Sequence, residues 1–173
     1  MIALVANNLL RALILILAQV LVLDHLDVAN GWVVPYLYVL FLLMLPFSVP
    51  AWAQLFIGFG MGMAIDLFSS TPGMHTSACL VMMFARPWVL RTLAPRDGYD
   101  HGRQPTLQHM GTAWTLSTYG ALVLLHHLWL FFAEVHRFDA FFSTIARALL
   151  STLATLLLCA LVQSLFARNL RRA

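Results

Sequence analysis

The sequence predicts an all-α, polytopic membrane protein: a single domain over residues 1–173 with six transmembrane segments. Three observations predict it. The chain is 61% hydrophobic and only 10% charged, with a mean hydropathy of +0.84, well outside the range of soluble globular domains. Its apolar residues gather into about six runs, most of them close to the roughly 17–25 residues a helix needs to cross a bilayer. The arginines, which supply all ten basic residues, sit in the loops in the one-sided way that fixes orientation. A net charge of +3, dispersed along the chain, does not suggest nucleic-acid binding.

The first run covers 4–23 and contains Arg11; the Asp24-His25-Leu26-Asp27 that follows is not a cleavage site, so no cleavable leader is expected. The second, 32–49, holds Pro35 and Pro46, with Pro50 just beyond its end. It is short for a span, and a re-entrant reading stays open beside the spanning one. The third covers 51–68 and the fourth 74–93, the latter interrupted at Arg86-Pro87, where the missing proline N–H should kink the helix. A polar loop, 94–109, precedes the fifth run at 110–133 and the sixth at 141–166. Arg91, Arg96 and Arg103 flank or occupy that loop, and Arg168, Arg171 and Arg172 form the tail. The Asp24–Asp27 turn and the turn containing Glu134, His136, Arg137 and Asp139 are net acidic. Six spans then place both termini and the 94–109 loop in the cytoplasm and both acidic turns outside.

The most informative stretch is GFGMGMAIDLFSSTPGMH, Gly58 to His75. Gly58, Gly62 and Asp66 recur every four residues and share a helix face, a spacing that lets a second helix approach closely. Whether that helix lies in the bundle or in a partner is open at this level. Asp66 is the only acid deep in an apolar run, and an intramembrane carboxylate is by default a functional-site hypothesis. It reads either as an interfacial group reaching water or as a buried one that pairs with a cation or caps the break at Ser69–Gly73. Arg147, in the outer half of the sixth segment, is the natural cation; Arg86 lies toward the cytoplasmic end of the fourth and can snorkel there.

His126 and His127 lie mid-membrane in the fifth segment. Adjacent residues point about 100° apart on a helix, so the two cannot face one metal together. Hydrogen bonding across helices or a proton relay are their two readings. Cys79 and Cys159 read as small hydrophobes, and His101 and His109 lack partners at zinc spacing. No metal or cofactor is expected. Ser69, His75 and Asp66 contain the residue types of a hydrolase triad but no nucleophile elbow or evident oxyanion hole, so an enzyme reading is weak.

The run GMAIDLFSSTPGMH, with apolar segments on both sides and the continuation FARPWVLRTLAPRDGYD, resembles the signature of the MreD family of bacterial rod shape-determining membrane proteins. The residues that carry the resemblance are Gly62, Asp66, Ser69, Gly73 and His75; length, layout and basic tail extend it over the chain. The resemblance implies a noncatalytic scaffold in the inner membrane, acting in lateral peptidoglycan synthesis. Its implied partners are an MreC-like bitopic protein and, indirectly, MreB, RodA and a class B penicillin-binding protein. It also implies a fold like that of the substrate-binding subunits of energy-coupling-factor transporters. That likeness supplies the alternative, a transporter subunit binding a small molecule or lipid, because fold alone does not decide function.

Overall fold

The computed structural model describes residues 2–100, 104–135 and 140–170, with side chains over 8–100, 104–135 and 140–165. The side chains of Arg103, His136, Arg137, Asp139, Arg168, Arg171 and Arg172, used above for orientation, and of His101 lie outside that set.

Helix α1 spans Ile2–Leu21 and ends in a 3₁₀ turn at Leu23–His25. A five-residue helix, α2, covers Val39–Leu43. Helices α3 (Ala51–Ser69) and α4 (Met74–Thr92) form a hairpin. A short turn of helix, α5 (Leu107–Met110), leads into α6 (Thr112–Val135) and then α7 (Phe141–Leu170). Among the described residues there is no strand, only an isolated bridge between Val28 and Val33. Helix α4 lies between α3 and α6, α6 packs on α7, and α1 joins the bundle through α2 and α3.

Among the described residues four stretches are long and apolar enough to cross a membrane: Asn8–His25, Ala51–Ser69, Thr112–Val135 and Phe141–Leu165. Helix α4 has nineteen residues but carries Arg86, Arg91 and His75, which leave it outside that group. The surface fits a lipid environment. Phe56, Leu67, Trp88, Phe142 and Leu157 point outward, while Gln19, Gln54, His126, His127, Ser151 and Thr155 are buried, the reverse of the partition in soluble domains.

The second segment departs from the expectation of a spanning helix. Its only α-helix is α2, and the backbone before it runs without helix from Val34 to Leu37 while lying inside the bundle. Pro35 explains the local conformation, because proline supplies no N–H and holds its predecessor extended. Non-helical backbone at membrane depth is tolerated only where protein satisfies its polar groups, and here α1 and α7 do so. The Val34 N–H donates to Ser151 Oγ (3.0 Å) and the Tyr36 N–H to Thr155 Oγ1 (3.1 Å). The Leu37 N–H donates to Gln19 Oε1 at 2.7 Å, and Gln19 Nε2 donates to the Pro35 carbonyl at 3.3 Å.

Candidate functional site

The site begins with two glycines. A Cβ on Gly62 would lie 2.5 Å from Thr76 Cα and 2.7 Å from the His75 carbonyl oxygen. No side chain fits there, so α3 and α4 meet backbone to backbone. One turn earlier a Cβ on Gly58 would sit 2.8 Å from Met83 Cγ, the adjustable part of a flexible side chain. The glycine face therefore packs within the bundle, against α4. Gly60 points elsewhere and has open space around it.

Asp66 is the next residue on this face and is buried. Helix α3 stops three residues later because Ser70 adopts a left-handed conformation (φ 55°), a C-terminal stop usually assigned to Gly or Asn. Gly73, at φ 84°, turns the chain into α4, a position where glycine avoids the Cβ clash. The break folds back so that the start of α4 points at the Asp66 carboxylate. Oδ1 accepts from Thr71 Oγ1 (3.0 Å) and the His75 N–H (2.9 Å). Oδ2 accepts from the Gly73 N–H (3.0 Å), the Thr76 N–H (2.9 Å) and Thr76 Oγ1 (2.6 Å). A helix start leaves its first N–H groups without intrahelical partners, and an acid there both satisfies them and complements the helix dipole. Asp66 thus does for α4 what an N-cap side chain does, from the neighbouring helix.

These five donors take up the roughly four lone-pair sites of a carboxylate, which leaves no place for a cation. Arg147 accordingly lies elsewhere: its Nη1 donates to Glu134 Oε2 at 2.9 Å, its Nε to the Gly31 carbonyl at 3.1 Å, and its guanidinium stacks over Phe131 at 4.3 Å. The expected Asp66–Arg147 pair is replaced by a clamp holding α7 to the end of α6 and to the 28–33 turn. Ser69 donates to Asp24 Oδ2 at 2.9 Å, and Asp24 Oδ1 accepts from Gln19 Nε2 at 2.8 Å, tying α1 to the break. Arg86 does not snorkel outward. It is buried, and its Nη2 donates to the Leu45 carbonyl just past the end of α2.

Beneath the break, His75 begins a buried polar line. The Tyr38 hydroxyl lies 2.9 Å from His75 Nδ1 and 2.7 Å from His126 Nε2. With one hydrogen, it donates to one ring and accepts from the other, so the tautomers of His75 and His126 are linked. His127 turns the other way. Its Nδ1 lies 2.8 Å from the Val123 carbonyl, which only accepts, so Nδ1 carries the proton and Nε2 accepts from Thr155 Oγ1 at 3.3 Å. The two histidines face different partners, and among the described residues no group of three potential metal ligands forms. Tyr36 packs against His75, His126 and His127, closing the cluster to water.

The structure therefore brings Gly62, Asp66, Ser69, Gly73 and His75 together, adds His126 through Tyr38, and leaves Arg86 and Arg147 outside. Sequence reasoning missed Gln19, Tyr38, Ser151, Thr155 and Thr76. Ser151 and Thr155, four residues apart in the sixth segment, carry a signal: they share one helix face.

Comparison with protein-family models, with curated proteins and with solved structures finds no match to this chain. Fold and surface together define it as an all-helical, multi-pass membrane protein.

Proposed function

We propose that this chain is a noncatalytic scaffold of the bacterial cell-elongation machinery, with the role that its MreD-like motif implies. It has six membrane-entering segments, the second re-entrant, with both termini in the cytoplasm of an inner-membrane protein. Through an MreC-like bitopic partner it associates with MreB, RodA and a class B penicillin-binding protein. One structural observation supports a mechanical role for the motif over a chemical one: all five Asp66 contacts are donors from the break and the start of α4. An acid so engaged is a brace between helices. Ser69 supports the same reading, since its hydroxyl donates to Asp24 and makes no hydrogen bond with His75.

The transporter-subunit alternative calls for an outward pocket with convergent polar groups. The cavity of about 620 Å³ beside α1 instead has polar lining residues from the 104–109 stretch, which the proposed orientation places inside. Isolation from its host in mild detergent tests the reading: a single-span wall-synthesis protein should accompany the chain, and depletion should round a rod-shaped cell. Co-isolation of an ATPase module, or a new vitamin requirement on depletion, would overturn it. Orientation is checked separately with an impermeant thiol reagent on intact cells. The native Cys79 and Cys159 are buried, so Asn30→Cys should label and Asp97→Cys should not.

A further inference from the structure

Between α1, α2, α7 and the α5 turn lies a cavity of about 620 Å³, within the size range of ligand sites. Its walls are divided end to end. Leu15, Ala18, Leu37 and Leu40 line the deep part; Arg11 and His109 stand at the other end, and among the described residues no carboxylate lines it. The polar end is built rather than loose. Gln163 on α7 accepts the Leu107 N–H at 2.8 Å and donates to the Tyr119 hydroxyl at 3.2 Å, fixing the α5 turn against α7. Arg11 is held by Asn8 Oδ1 (3.1 Å) and the Phe41 ring (5.4 Å), while its buried Nε has no hydrogen-bond partner.

We propose that this groove binds one anionic phospholipid, its phosphate on Arg11 and one acyl chain along α1 toward Ala18. Charge complementarity selects the occupant. A guanidinium in the lining of a mostly apolar slot calls for an anion attached to a hydrocarbon chain, and an apolar partner helix would leave its charge unanswered. The geometry agrees: Leu10 to Ala18 on α1 measures about 12 Å at 1.5 Å per residue, a length of hydrocarbon that an acyl chain supplies. The bilayer offers the ligand laterally, since Leu10 and Ile14 at the rim face outward.

Native mass spectrometry of the full chain, titrated with dioleoyl phosphatidylglycerol or dioleoyl phosphatidylcholine, tests this. The anionic lipid should bind about tenfold more tightly, the size of one good charge-assisted contact. Arg11→Gln should abolish that preference, Arg11→Lys should retain part of it, and Ile14→Trp, at the rim, should weaken both lipids by obstructing the slot. Equal binding of the two lipids by the unmodified chain would overturn the proposal without any variant. So would a preference that survives Arg11→Gln, or lipid binding that Ile14→Trp does not change.

Discussion

At the α3–α4 seam two backbones approach until a single added carbon at Gly62 would come within 2.5 Å of Thr76 Cα. Along α1 from Leu10 to Ala18, by contrast, a cavity of about 620 Å³ separates that helix from α7. Hydrophobicity does not explain the difference, since α4, at the tight seam, carries Arg86, Arg91 and His75. Small residues do: they bring obligatory backbone donors within reach of Asp66, whereas larger residues such as Leu15 and Arg11 line the space beside α1. The seam has one geometry that works, and its hydrogen bonds fail together if the helices part. The groove tolerates change, because no buried backbone group depends on its being filled.

The most severe way to break the comparison is Gly62→Leu. Overpacking against backbone, which cannot move aside as a side chain does, should cost about 3 kcal/mol or more. Thermal unfolding in detergent and loss of the monodisperse peak would show it. Asp66→Asn comes next. An amide offers one acceptor oxygen, so at least one N–H at the start of α4 would face another donor, at about 2 kcal/mol. Gln19→Leu should cost less, about 1–2 kcal/mol, and act elsewhere: faster amide exchange at Leu37, which loses its acceptor, with the start of α4 still protected. Smallest is Gly60→Ala. With open space around it on the same helix, it should be neutral or stabilise by about 0.5–1 kcal/mol through the unfolded chain. A Gly60→Ala cost equal to that of Gly62→Ala would mean that the seam is not where the close approach lies.

The sequence made the seam legible because its signals are local. Gly58, Gly62 and Asp66 at four-residue spacing define a face, and Ser70 through Gly73 mark a turn. Two things were not legible. Capping of the break and a countercharge were both open for Asp66, and the choice between them rests on backbone N–H groups, which leave no trace in side-chain identity. The interior course of residues 34–38 was hinted at by Pro35 and the segment's short length. Its acceptors, Gln19, Ser151 and Thr155, lie 16 to 119 residues away in sequence. Only the fold shows that they converge. The groove depends on tertiary arrangement entirely, since Arg11 by itself reads only as an arginine inside the first apolar run.

The central claim is that Asp66 is a brace capping α4 from α3, and a pair of double-mutant cycles on thermal stability tests it most directly. Asp66→Asn combined with Thr76→Val should show coupling of about 1 kcal/mol, because each variant removes part of one hydrogen-bonded unit, while Asp66→Asn with Arg147→Gln should be additive within about 0.5 kcal/mol. Additivity with Thr76→Val together with strong coupling to Arg147→Gln would contradict the account and restore the acid to an ion pair.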